Sequence, residues 1–132
     1  MVRGDGKGRR QEGQVMRLGE MVPLLKGMLV SEQADLDLEV SRVAAADLMS
    51  DVLAFADPGA VLVTGLVNPQ VVITADMADI VGIVFVRGKM PPPETVAVAR
   101  EERIPLIMTS YTMFEACGLL YQAGLKAVSM ES

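Results

Sequence analysis

The span from Ala60 to Arg87 constrains the fold of this chain more than any other segment. It contains, in order, the apolar run Ala60 to Val63, the polar pair Thr64-Gly65, the pair Asn68-Pro69 and the apolar run Ile80 to Val86. Asparagine before proline is typical of a helix start, because asparagine caps the first turn and proline is tolerated at the first helical position. The order predicts a βαβ unit with its polar loop at the carboxyl end of the first strand, where such sheets bind ligands.

The same alternation extends over most of the chain. Strands are predicted at Glu39–Ala45, Ala60–Gly65, Ile80–Val86 and Ile104–Met108, and helices at Asp47–Ala56, Pro69–Ala78, Glu94–Arg103 and Thr112–Gln122. Apolar residues at helical spacing between Leu18 and Leu29 predict a short helix before them, followed by a brief strand at 29–31. We expect a three-layer α/β domain, in which helices flank a mixed or mainly parallel sheet.

Charge divides the chain into a head and a body. Residues 1–15 form a basic, glycine-rich leader that we expect to be disordered, residues 16–126 form the α/β domain, and residues 127–132 a short tail. The segment up to Arg17 carries five basic and two acidic residues, which leaves 7 basic and 15 acidic residues in the remainder. A body this acidic repels nucleic acids and anionic membranes, so we expect neither as a partner.

Composition removes several classes of chemistry. The chain contains no histidine, so we expect neither a histidine-dependent triad nor a zinc site. Cys117 is the single cysteine, so no intramolecular disulfide can form, and this suits a reducing cytoplasm. Neither a P-loop nor a dinucleotide fingerprint occurs. We expect a soluble cytoplasmic protein without catalytic residues, metal or cofactor.

Polar residues follow three predicted strands and make up the candidate ligand site. They are Thr64, Gly65 and Asn68 after the first, Arg87, Gly88 and Lys89 after the second, and Thr109, Ser110 and Thr112 after the third. If the strands are parallel neighbours, these groups converge on one edge and favour an anionic small molecule. The alternative is that Asn68 and Thr112 only cap helices, Thr64 satisfies backbone groups, and Arg87 and Lys89 are solvated charges.

Two other features have structural interpretations that we prefer. Asp47 and Asp51 are one helical turn apart and could hold Mg²⁺, but acids near a helix start are ordinarily placed to interact with its dipole. Cys117 lies mid-helix among apolar residues and is expected to be a packed thiol rather than a nucleophile.

From about Met16 to Leu125 the chain resembles the DRTGG domain family, which is related to the N-terminal domain of HPr kinase/phosphatase. The segments that carry the resemblance are Ala46 to Ala54, Asn68 to Val72, Ile83 to Gly88, Ile104 to Ile107 and Thr112 to Glu115. The segment Thr64 to Asn68 stands where many members carry the Asp-Arg-Thr part of the naming motif, and Val86 to Gly88 stands where they carry Thr-Gly-Gly.

The resemblance implies an accessory, regulatory α/β domain rather than an enzyme. Our leading hypothesis is a homodimeric module that senses an anionic metabolite or nucleotide. The alternative is a protein–protein interaction subunit without a small ligand. Members similar to this chain are often encoded near iron-iron hydrogenase or redox genes, which implies a redox-linked or hydrogenase-linked protein partner.

Overall fold

The computed structural model describes residues 15–31 and 35–128. The predicted leader therefore lies outside these residues except at Val15, and the predicted tail lies outside them from residue 129 onward. Within the described ranges, no helix has both the length and the apolar content that crossing a membrane requires.

A six-stranded mixed sheet forms the centre of the structure. The elements are β1 (Met16–Arg17), a 3-10 turn (Leu18–Glu20), α1 (Met21–Leu24), β2 (Met28–Leu29), β3 (Glu39–Val40), β4 (Arg42–Ala45), α2 (Met49–Phe55), β5 (Val61–Thr64), α3 (Pro69–Met77), β6 (Gly82–Phe85), α4 (Pro93–Glu102), β7 (Leu106–Met108), α5 (Met113–Gln122) and β8 (Lys126–Ala127). The strand order is β2-β7-β6-β5-β4-β8, and β1 pairs with β3 in a separate antiparallel ribbon. Only β2 runs antiparallel to its neighbour in the large sheet, which confirms the predicted mixed, mainly parallel α/β fold.

The central strands are buried on both faces. Every residue of β5 and β6 is buried. Because side chains alternate between the faces of a sheet, Val61 and Val63 belong to the core cluster of α1 and α5, whereas Leu62 belongs to the cluster of α2, α3 and α4. The sheet therefore lies between two helical layers, and its central strands β5 and β6 are covered on both faces.

The predicted βαβ unit and both predicted helix caps are present. Strands β5 and β6 pair in parallel from Val61 with Gly82 to Thr64 with Phe85. The backbone N–H of Val71 donates to the Asn68 side chain at 3.2 Å, and Pro69 is the first residue of α3. Thr112 and Glu115 form the predicted capping box of α5. These elements were predictable because short-range contacts determine them.

Two local predictions differ from the structure, and β8 was not predicted at all. The strand predicted over Glu39–Ala45 is interrupted at Ser41, because its first part pairs with β1 and its second part with β5 and β8. The helix predicted from Asp47 begins at Met49, and Leu48, an apolar residue just before it, is 61% exposed. Strand β8 was not predicted, since two residues carry no periodic pattern and only pairing with β4 defines them.

Gly27 is required at the junction between α1 and β2. A Cβ atom on it would lie 2.9 Å from the Met108 carbonyl oxygen and 3.0 Å from Cγ2 of Ile107. We expect Gly27→Ala to lower the free energy of unfolding by about 1–3 kcal/mol, because β2 would be forced away from β7. Chemical denaturation checks this, with Met28→Ala at the adjacent exposed position as control. Equal midpoints for the two variants would contradict the tight approach.

Candidate functional site

The loops that follow β5, β6 and β7 meet at one edge of the sheet. The backbone N–H of Val86 donates to the Thr64 carbonyl at 3.1 Å, which joins the ends of β5 and β6. The N–H groups of Arg87 and Gly88 donate to the carbonyls of Tyr111 and Thr109, each at 2.8 Å. The predicted convergence of the three strand-to-helix junctions is therefore present.

Asp47 joins this edge from the end of β4. Its Oδ1 accepts a hydrogen bond from the Gly65 N–H at 2.8 Å and another from the Thr64 hydroxyl at 2.9 Å. The same hydroxyl accepts from the Leu66 N–H at 3.2 Å. Asp47 thereby fixes the polar turn after β5 to the strand beside it.

The preferred interpretation of Asp47 as a helix-dipole residue is wrong. Asp47 precedes α2 by two residues, so it is not part of that helix. Its carboxylate instead accepts hydrogen bonds from the Gly65 backbone and the Thr64 hydroxyl at the sheet. Asp51 does lie in the first turn of α2, where the dipole argument applies. No group of three or more potential metal ligands occurs among the described residues.

The Asp47 carboxyl is stabilised in its ionised form. The hydrogen bond from the Gly65 backbone is the main cause of the lowered pKa, although desolvation by burial opposes it. The Thr64 hydrogen bond and the positive charges of Arg87 and Lys89 lower the pKa further. A negative charge is therefore present at this edge at neutral pH, close to two positive charges.

Arg87 lies across the turn after β5. Its Nη2 atom is 3.1 Å from the position that a Cβ of Gly65 would occupy, and Oδ1 of Asp47 is 3.7 Å from the same position. A side chain on residue 65 would therefore press against the guanidinium. Arg87 adopts a φ of 61°, in the left-handed region that a non-glycine residue rarely occupies. The turn thus presents an exposed guanidinium beside a carboxylate.

Gly88 and Ser110 extend the site toward the end of β7. Gly88 has a φ of 67°, and Oγ of Ser110 lies 4.0 Å from the position of a Cβ on Gly88. Lys89 and Ser110 are exposed. We call Asp47, Thr64, Gly65, Arg87, Lys89 and Ser110 the strand-end site.

The remaining predicted residues have hydrogen-bonding roles within the chain. Asn68 and Thr112 cap α3 and α5. Thr109 is buried, and its hydroxyl donates to the Leu25 carbonyl at 2.7 Å and accepts from the Tyr111 N–H at 3.2 Å. The Gly88 N–H is used by the Thr109 carbonyl. Asn68 and Thr112 are exposed as well, but their side chains cap helices, whereas those of Asp47, Arg87, Lys89 and Ser110 are exposed at the strand ends without a capping role.

Asp47 is the site residue that sequence reasoning misassigned. A signal for it was present, since it follows the end of a predicted strand just as Arg87 and Ser110 follow theirs. The predicted helix was extended back over Asp47, which concealed this equivalence.

The arrangement suits binding of an anion that also carries hydrogen-bond donors. A guanidinium, an ammonium and a hydroxyl can bind phosphate or carboxylate oxygens. The adjacent ionised carboxylate accepts hydrogen bonds, so it favours a ligand that also carries hydrogen-bond donors. Cys117 lies elsewhere, on α5, where burial raises the pKa of its thiol.

Comparisons of sequence give no match to a protein-family model or to a curated protein. Among solved structures, the chain is similar to the regulatory region of a Clostridium perfringens pyrophosphatase, which contains CBS and DRTGG domains and was solved with its activator, diadenosine tetraphosphate. The two share 16% sequence identity with a TM-score of 0.67, and the match covers 83% of this chain and 47% of that one. The likeness shows a related α/β fold, and this chain matches about half of the length of that region.

We expect Asp47→Asn to change the pH dependence of stability. Because the pKa of Asp47 in the folded protein lies below its ordinary value of 3.8, the ionised carboxylate stabilises the fold above about pH 4. This contribution is lost as the pH falls through the pKa of the folded state, and solvent screening keeps it to about 1 kcal/mol or less. Denaturation midpoints from pH 2 to 7 should therefore show a shallower acid limb for Asp47→Asn.

Asp51→Asn is the matched control, since it removes a carboxylate from the same segment but not from the sheet edge. An acid limb that Asp47→Asn leaves unchanged would contradict the bond to Gly65.

Proposed function

We propose that this chain is a DRTGG-like regulatory module that binds an anionic metabolite or nucleotide at the strand-end site. The observation that carries the proposal is the exposed guanidinium of Arg87, which lies over Gly65 between the ends of β5 and β6 and close to Lys89. The likeness to a regulatory region with a nucleotide activator supports it. Carboxyl edges of parallel sheets are common ligand sites, because the loops that follow neighbouring strands meet there.

Phosphate is the anion that the site fits best. The planar guanidinium of Arg87 can donate two parallel hydrogen bonds to phosphate oxygens, and Lys89 adds a second positive charge. The hydroxyl of Ser110 is on the same side, next to Gly88. Asp47 favours a ligand that also presents hydroxyl or amino donors, because its carboxylate accepts hydrogen bonds. A nucleotide combines these features.

We propose a regulatory role rather than turnover. General acid–base catalysis requires a donor and an acceptor whose pKa values suit proton transfer near neutral pH. At the strand-end site the pKa of Asp47 moves away from neutrality, because the Gly65 backbone and the nearby positive charges stabilise its ionised form. The site therefore supports binding better than proton transfer.

The second candidate function is a protein–protein interaction subunit. The observation that favours it is an apolar face on α5, where Phe114 is 87% exposed and Tyr121 is 73% exposed. The redox-linked or hydrogenase-linked partner stays a prediction that rests on the family resemblance. The two functions are compatible, since this face and the strand-end site involve different residues.

Ligand-induced stabilisation tests the leading proposal. We expect inorganic pyrophosphate, ADP or diadenosine tetraphosphate to raise the Tm of the full chain, since a ligand at 100 times its Kd stabilises a protein by about 2.7 kcal/mol. Arg87→Met and Lys89→Met should each weaken binding in calorimetry by about tenfold or more, because each removes a charge-assisted contact.

Arg100→Met, which removes an exposed positive charge from α4, serves as the matched control and should leave binding unchanged. The absence of any Tm shift at millimolar concentrations of all three probes would contradict the proposal. So would equal losses of affinity in Arg87→Met and Arg100→Met, because binding would then depend on overall charge rather than on the site.

A further inference from the structure

The two faces of the sheet are covered unequally. Helices α2, α3 and α4 pack on one face, whereas α1 and α5 pack on the other. Because α5 lies over β5, the outer strands β4 and β8 are left partly open beside it. A groove of about 500 Å³ runs there, with walls that include Val43, Ala45, Leu125 and Val128 from the strand side and Phe114 and Tyr121 from α5.

The exposed side of α5 is apolar over two helical turns. Phe114 and Tyr121 are seven residues apart and therefore lie on the same side of the helix. Both are largely exposed, and Cys117 and Gly118 lie between them along the groove. We call Phe114, Cys117, Gly118 and Tyr121 the α5 face.

Gly118 has no packing role among residues 15–31 and 35–128. A Cβ atom at this position would meet no atom of these residues within 4 Å. Glycine in a helix interior is less favourable than alanine, so a helix that needed only to fold would be better served by alanine here. Because glycine has no side chain, the helix surface is flat between the two aromatic residues, and another helix can approach it closely.

We propose that the α5 face is the docking surface for a second copy of this chain. The two α5 helices would cross in antiparallel orientation at Gly118, with Phe114 of each copy entering the groove of the other. A two-fold interface requires that one surface supply both a projecting group and the cavity that receives it. Phe114 and the groove beside it meet this condition.

The outer edge of β8 is partly blocked against pairing with a strand of another molecule. Nη1 of Arg42 donates a hydrogen bond to the Ala127 carbonyl at 2.9 Å. That carbonyl belongs to the outermost strand, where a free carbonyl would otherwise accept a hydrogen bond from another strand. The Arg42 side chain thus occupies this hydrogen-bonding position at the edge of β8, next to the groove.

Area and charge are both consistent with a dimer. A buried aromatic side chain removes roughly 150–250 Å² from solvent, so the four aromatic side chains of two α5 faces supply about 600 Å² or more of a standard interface of about 1,600 Å². The groove walls provide further apolar area. Of the residues described along the groove, Lys126 alone is charged, so the groove itself brings no carboxylate against a second chain of net charge −5.

Sedimentation equilibrium of the full chain without ligand tests the proposal. We expect a dimer at micromolar concentrations, and we expect Phe114→Glu and Gly118→Glu each to raise the dimer dissociation constant by about 100-fold or more, because each buries an unpaired charge. Met77→Glu introduces the same charge at a position of α3 that is 65% exposed on the opposite face of the sheet, and the dimer should persist.

Gly118→Ala distinguishes an interface role from a structural one. Under monomeric conditions its Tm should be equal to or higher than that of the parent, because alanine favours the helix and the position is open. Its dimer should nevertheless be weaker by about tenfold, because a Cβ separates the helices. The measurement needs no ligand, so its outcome is independent of the strand-end site.

A parent chain that remains monomeric at hundreds of micromolar would overturn the proposal. So would a dimer that survives both Phe114→Glu and Gly118→Glu while circular dichroism shows a native fold. Dissociation by Met77→Glu to the same extent would also overturn it, because the interface would then not be specific to α5.

Discussion

Three parallel strands buried on both faces, β5, β6 and β7, are the constraint on which the rest of the structure depends. Most of their side chains belong to the two cores, so polar groups gather at the strand ends, as Thr64 does at the end of β5. Parallel neighbours each need a crossover helix, and this places the polar turn after every strand at the same edge. The candidate site is thus a consequence of strand direction. Residues that are distant in the sequence, such as Thr64 and Ser110, are brought to one edge by it.

The carboxylate of Asp47 determines the hydrogen bonding and the charge at this edge. Its hydrogen bonds with Gly65 and Thr64 hold the turn after β5 against the end of β4, and Gly65 in turn leaves space for the guanidinium of Arg87. Gly65 therefore donates a hydrogen bond to the Asp47 carboxylate and, lacking a side chain, leaves space for the Arg87 guanidinium. A site in which opposite charges are held apart by the backbone can bind a ligand that carries both anionic oxygens and hydrogen-bond donors, and we infer a nucleotide-like ligand on this basis. The α5 face is a separate surface, apolar where the strand-end site is charged.

Sequence reasoning succeeded where local contacts determine the structure. The Asn68 cap, the Thr112 capping box and the buried runs of β5 and β6 are encoded within a few residues, and the structure contains all of them. It did not succeed where the partner is distant. Asp47 was assigned to a helix because its true partner, Gly65, is 18 residues away. The same holds for β8, which exists only through β4, and for Leu48, whose exposure depends on where α2 lies against the sheet. Gly118 is a related case, because its significance lies in the empty space around it, which no sequence pattern records.

The proposed function rests on one claim, namely that the strand ends around Asp47 and Arg87 form a ligand site. Two-dimensional amide NMR of the full chain during titration with pyrophosphate and with ADP tests this claim most directly, since it locates binding residue by residue. We expect saturable amide chemical-shift changes concentrated at Gly65, Arg87, Gly88 and Ser110. The amide resonances of Cys117 and Tyr121 on the α5 face should remain unchanged. Shifts confined to the α5 face, or spectra that both ligands leave unchanged at millimolar concentration, would contradict it.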